Sequence, residues 1–164
     1  MKIISLNVRG LGGTVKRKYL SNLISKEGAD MVCLQETKCS EISREKVCLI
    51  WGNNDVDWIE NKAVNSVGGV LTIWNSTTFQ MISFVNGRNY SIIEGLWKVG
   101  NGLHVSIVNV YCSGSLRKKK VIWWIETIIL IFTALCCWAV IPQSHARAYY
   151  CSLFYSPTYD TNQK

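Results

Sequence analysis

What this sequence lacks narrows its function before any motif is read. No two of its seven cysteines (Cys33, Cys39, Cys48, Cys112, Cys136, Cys137 and Cys151) stand at CxxC spacing, and the number is odd. That pattern argues against a zinc site or a disulfide frame. It suits reduced thiols in an intracellular protein, nuclear or cytoplasmic, with no disulfide-linked partner. The opening MKIISLNVRG has too short an apolar stretch for a secretory signal, so the sequons at Asn75 and Asn89 mean little. No internal repeat and no low-complexity segment is present. Acidic residues are few, 11 against 18 Lys and Arg, and the net charge of +7 favours an anionic partner: nucleic acid or an acidic membrane face. A chain of 164 residues with 48% hydrophobic and 18% charged side chains is globular. Its length fits one domain or part of a larger one.

The hydrophobic pattern alternates between strand and helix periods. KIISLNV (2 to 8) reads as a strand with Ile4, Leu6 and Val8 on one face and Ile3, Ser5 and Asn7 on the other. After the glycine-rich break RGLGG, residues 15 to 27 read as a helix with Tyr19, Leu20, Leu23 and Ile24 on its stripe and Gly28 as its stop. Residues 31 to 34 form the next strand, so this strand–helix–strand unit predicts a parallel crossover. A short helix is expected over 43 to 52. Strands are expected at 57 to 59, 68 to 74, 79 to 85, 90 to 97 and 103 to 111, the last two a hairpin turning on GNG.

In a parallel unit the carboxyl ends of neighbouring strands open into one crevice, where ligands usually bind. Asn7 ends the first strand and Glu36 follows the second in DMVCLQETK. A carboxylate and an amide at one rim suit a hard cation such as Mg²⁺, which takes one or two carboxylates and accepts further oxygens from phosphate. The residues alone leave Glu36 equally readable as a solvated strand-end carboxylate, and Asn7 as a turn-forming asparagine.

The blocks SLNVRGLGG, VCLQETK, GGVLTIW and VSIVNVY, in this order over residues 1 to 111, resemble the amino-terminal half of the endonuclease/exonuclease/phosphatase superfamily. They are most similar to the endonuclease domain of plant LINE-type retrotransposon polyproteins. The resemblance implies an α/β fold, a truncated four-layer sandwich of two mixed sheets flanked by helices, with 1 to 141 a partial domain and 142 to 164 an unmatched tail. It implies Glu36 as the ligand of Mg²⁺ (or Mn²⁺), Asn7 supporting the metal and phosphate site, Tyr111 reaching toward the scissile phosphate, and DNA as partner. In that family a His–Asp pair and a second Asp activate the attacking water. Here Pro142, Gln143, Ser144 and His145 stand where the family has Gly-Asp-Phe-Asn, and no Ser-Asp-His follows. The chain is therefore expected to be a fragment of a Mg²⁺-dependent DNA endonuclease of retroelement origin, inactive alone. Lys16, Arg17 and Lys18, after the site loop, are candidate phosphate contacts or a solvated helix start. His104 reads as a plain strand residue.

Two rival readings come from other classes. Residues 121 to 141 hold one charge, Glu126, behind the basic run SLRKKK. About 20 apolar residues span a bilayer, so a single-pass membrane protein is one rival. In the superfamily reading the same stretch is a helix followed by a strand at CCWAVI, and a strand in a sheet cannot also cross a bilayer. The other rival is a non-catalytic remnant that binds nucleic acid weakly through its charge.

Overall fold

The computed structural model describes residues 1–111, 136–140 and 149–152. The chain order is β1 (Lys2–Asn7), α1 (Thr14–Glu27), β2 (Met31–Gln35), α2 (Arg44–Trp51), β3 (Val56–Asn61), β4 (Val70–Asn75), β5 (Phe79–Asn86), β6 (Tyr90–Trp97), β7 (Leu103–Val110), β8 (Cys136–Val140) and β9 (Tyr149–Ser152). The first sheet runs β3-β4-β2-β1-β9 and the second β5-β6-β7-β8. Both are mixed. β1 and β2 are parallel, as are β7 and β8, and every other pairing is antiparallel. The fold is the expected α/β sandwich of two mixed sheets.

Period-2 alternation decides which side chains fill which layer. Ile4 of β1 and Val8 just beyond it, with Leu6 partly buried, join Val32, Leu34, Leu71 and Ile73 under the helices. There they meet Leu20, Ile24, Val47 and Ile50. The opposite face of the same sheet sends Ile3, Met31, Cys33 and Trp74 against Phe79, Ile93, Val105 and Ile107 of the second sheet. Trp74 and Phe79 meet edge to face at 5.7 Å. Each such fully buried aliphatic or aromatic side chain stabilises by about 1.5–3 kcal/mol. Burial in this layer pushes the Cys33 thiol up to about 12, with a hydrogen bond to Thr72 acting against the shift.

Gly28 closes α1 in the left-handed conformation, φ 58°, its N–H on the last-turn carbonyls, as the sequence predicts. Tyr19 departs from expectation. It is 59% exposed, because α1 meets the core through Leu20 and Ile24 and leaves the shoulder of the stripe to water. β5 is the edge of the second sheet, with Ile82, Phe84 and Val85 exposed. A register shift between Met81 and Ser83 bends it, which works against edge-to-edge pairing.

The expected family strand at CCWAVI is β8. Because Cys136–Val140 is hydrogen-bonded in register to Ser106–Val110 of β7, the end of the proposed membrane segment lies in a sheet. No helix among the described residues is long and apolar enough to cross a membrane. The spanning expectation over 121 to 141 is thus unsupported, and its remaining residues 121 to 135 and 141 lie outside the described ones, as do SLRKKK and Pro142 to His145. β9, antiparallel to β1, falls in the stretch read from sequence as a tail.

Candidate active site

The parallel register pairs Asn7 with Gln35, so Glu36 emerges beside the end of β1 at the carboxyl rim of the first sheet. The two loops leaving that rim then run together. Val8 N–H donates to Gln35 O at 2.9 Å, Gly10 N–H to Glu36 O at 2.6 Å and Leu11 N–H to Thr37 O at 2.9 Å. On the other side, Thr37 N–H donates to Gly69 O at 3.1 Å and Lys38 N–H to Gly68 O at 3.0 Å. Glu36 is thereby pinned from both flanks.

Three non-glycine residues of this rim, Arg9, Glu36 and Lys38, have positive φ (47°, 59° and 56°). Each carries a steric cost of order 1–3 kcal/mol and persists only where the surroundings over-determine it. At Glu36 the consequence is visible. Gln35 faces the second sheet, so strict alternation would turn Glu36 away from it. The left-handed residue breaks the alternation, and the Glu36 carboxylate meets the second sheet after all: Tyr111 Oη, at the end of β7, donates to Glu36 Oε1 at 3.3 Å. Tyr111 is 6% exposed and its N–H donates to Asn89 O at 2.8 Å, so its ring is fixed by the hairpin.

Two glycines that carry no chemistry make this approach possible. A Cβ on Gly68 would lie 3.4 Å from the Tyr111 ring, and one on Gly69, at φ 85°, would lie 2.4 Å from Thr37 Oγ1. Both are needed because Tyr111 and Thr37 press on this backbone.

The structure thus brings Asn7, Glu36 and Tyr111 to one rim. The Asn7 amide oxygen accepts from Arg9 N–H at 3.1 Å, closing a turn, and a carbonyl oxygen with two lone pairs keeps one for another partner. Glu36 is half-buried, and the ion pairs among the described residues, Lys2–Glu27 and Lys62–Glu41, do not involve it. No group of three or more His, Cys, Asp or Glu able to hold a metal occurs among the described residues. One carboxylate and one amide fit a hard cation that keeps water and takes the rest of its oxygens from a phosphate, and they do not fit a closed protein cage.

The basic cluster behaves otherwise than its charge suggests. Lys16 Nζ donates to Val8 O at 2.7 Å and Gly10 O at 2.9 Å. Arg17 Nη1 donates to Leu11 O and Gly12 O, both at 3.0 Å. These two cations tie the glycine-rich loop to α1, neither of the roles read from sequence. Lys18 is exposed, as is Lys38, which sequence reading did not single out. His104 is an exposed strand residue opposite Leu96.

A model of the endonuclease/exonuclease/phosphatase family matches residues 4–155. The chain belongs to that family. No curated protein matches it by sequence. Solved structures share the family fold at low identity. The catalytic domain of Xenopus laevis APE2 superposes with TM-score 0.52 at 15% identity, over 80% of this chain and 52% of that one. D. rerio TDP2, solved with a single-strand DNA product, gives 0.51 at 14%, over 82% and 55%. The endonuclease domain of TRAS1, a telomere-specific non-LTR retrotransposon, gives 0.54 at 11%, over 77% and 52%. The chain therefore spans about half the length of these proteins.

Proposed function

We propose that this chain carries the amino-terminal half of a divalent-metal-dependent phosphodiester hydrolase site, of the DNA-endonuclease kind found in retroelements and closest to plant LINE-type elements. The observation that supports it best is the Glu36 carboxylate, turned by a left-handed residue to meet Tyr111 of the opposite sheet beside Asn7. The family membership and the retrotransposon endonuclease among its structural relatives point the same way.

In this reading Glu36 holds a Mg²⁺ or Mn²⁺ ion and Asn7 lends its free lone pair to the ion or a phosphate oxygen. When bound, the ion supplies charge stabilisation on the phosphate oxygens. Tyr111 Oη, its single O–H directed at Glu36, keeps the carboxylate aimed; turned to a phosphate oxygen, the same O–H would donate there instead. Lys18 and Lys38 are the exposed cations that would meet a DNA backbone, while Lys16 and Arg17 hold the loop. Deprotonating the attacking water is left without an assigned residue: the side chain bonded to Glu36 is a tyrosine, and no group of three or more His, Cys, Asp or Glu able to hold a metal occurs among the described residues. Positioning without a general base sacrifices about 10²–10⁴ in rate.

The expected outcome is that purified residues 1 to 164 leave supercoiled plasmid un-nicked in Mg²⁺ or Mn²⁺. The chain would still bind Mn²⁺ weakly through Glu36. Nicking that disappears in Glu36→Ala would refute the inactivity, and Mn²⁺ binding unchanged in Glu36→Gln would refute the site.

A further inference from the structure

Beneath the rim runs a polar seam that the apolar pattern of neither sheet calls for. Gln35 and Asn109 are buried, 1% and 0% exposed, in the layer between the sheets. Gln35 Nε2 donates to Asn109 Oδ1 at 2.7 Å and to Ser5 Oγ at 3.0 Å. Asn109 Nδ2 in turn donates to Thr72 Oγ1 at 3.0 Å and Leu71 O at 3.2 Å. The Gln35–Asn109 bond crosses from one sheet to the other, in a layer shared with side chains such as Ile3, Ile93 and Ile107 that offer only contact.

Amides taken out of water into such a layer cost several kcal/mol, recovered only as far as they are paired. Among the described residues pairing is incomplete, since Gln35 Oε1 finds no hydrogen-bond partner there, and neither does the buried Ser91 Oγ on the strand next to Asn109. As glue, two apolar side chains would serve at least as well. A bond with direction supplies what apolar contact does not: it resists sliding of one sheet over the other. The place of this bond in the chain gives that resistance a use. Gln35 immediately precedes Glu36, and Asn109 stands on β7 two residues before Tyr111, which follows directly on that strand.

We propose that Gln35 and Asn109 are positioning residues of the candidate site. Their bond sets the register of the two sheets so that Tyr111 Oη reaches Glu36 and the carboxylate is presented to a divalent cation. This rests on the reading of Glu36 and Tyr111 as site residues. Sites of this kind require placement within about 0.5 Å, and loss of such supporting partners typically weakens metal affinity about 10–100-fold.

The test uses the full chain with Gln35→Met, Asn109→Leu and the double variant. Stability is read by urea unfolding, Mn²⁺ affinity by paramagnetic resonance of the free ion, and the Tyr111–Glu36 contact by the change that Tyr111→Phe causes in the Glu36 carboxyl ¹³C shift. Each single variant strands a buried partner and is destabilised, whereas the double removes both amides and regains stability. Positioning predicts that the double still loses about tenfold or more in Mn²⁺ affinity. It also predicts that the double's Glu36 carboxyl no longer responds to Tyr111→Phe. A double variant that regains both stability and wild-type Mn²⁺ affinity with the shift response intact overturns the proposal. If the parent chain shows no Mn²⁺ binding that depends on Glu36, the functional reading fails, and the shift response still decides positioning: kept in the double it overturns it, lost it supports it. Should the single variants not fold, Thr72→Val removes one acceptor of Asn109 at constant volume, and a smaller loss in the same direction is expected.

Discussion

The two faces of strands β1, β2 and β4 follow different rules. The face under the helices is apolar from end to end: Ile4 and Val8, Val32 and Leu34, Leu71 and Ile73. The face toward the second sheet changes along its length, from Ile3 to Ser5 to Asn7 on β1, from Met31 to Cys33 to Gln35 on β2, and from Trp74 to Thr72 on the antiparallel β4. Polarity therefore rises toward the rim where Glu36 and Tyr111 meet. One face is built for stability alone. The other gives up apolar contact where direction is needed.

The largest expected effect tests the dry face. Leu34 is 0% exposed there, and Leu34→Ala should lower the unfolding free energy by about 2–5 kcal/mol, read from the urea midpoint. A loss below about 1 kcal/mol would mean that this face collapses around cavities and is no stiffer than the polar one.

The polar face should be sensitive to shape at its rim. Gly69→Ala places a methyl 2.4 Å from Thr37 Oγ1 at a backbone angle of φ 85°. A cost of about 1–3 kcal/mol is expected, with altered quenching of Tyr111 fluorescence because the neighbouring Gly68 abuts that ring. Unchanged stability would show that the loop carrying Thr37 yields, which would contradict a rim held from both sides. Smaller again is Tyr111→Phe, which removes the 3.3 Å bond to Glu36 and keeps the ring. About 0.5–1.5 kcal/mol is expected, and a zero effect would mean that the contact is not made in solution.

How far the comparison could be read from sequence depends on the range of the interaction. The two faces of β1 were readable, because alternation of Ile4, Leu6 and Val8 against Ile3, Ser5 and Asn7 is local. The parallel unit was readable for the same reason, and with it the position of Asn7 and Glu36 at one rim. The Gln35–Asn109 bond joins residues 74 apart, and nothing near either residue announces the other. The left-handed turn at Glu36 was hidden because the residue is not glycine; the loops on either side impose it. The bonds of Lys16 and Arg17 to the loop were not readable, because a charge near a phosphate-site loop looks the same in sequence whether its donors face water or the loop's own carbonyls.

The smallest effect concerns the far margin of the sheet, where β3 carries a carboxylate at the boundary between the faces. Glu60 Oε2 accepts from Ile42 N–H at 3.0 Å. Burial holds its carboxyl above the ordinary 4.5, opposed by that hydrogen bond and by Lys62. A carboxyl raised in the folded state binds its proton more tightly there than in the unfolded chain. Its contribution to stability is therefore present below the unfolded value and is lost as pH rises from about 4.5 through the raised folded value. Glu60→Gln keeps an oxygen for Ile42 and removes the titration. Relative to the variant, the parent should thus lose stability as pH is raised from about 4 to 7, and the difference should level off once Glu60 is fully ionised. Urea midpoints at intervals across that range decide it. A difference that is flat in pH would mean that Glu60 is as well solvated in the folded chain as in the unfolded one, and that the bond to Ile42 forms without burial.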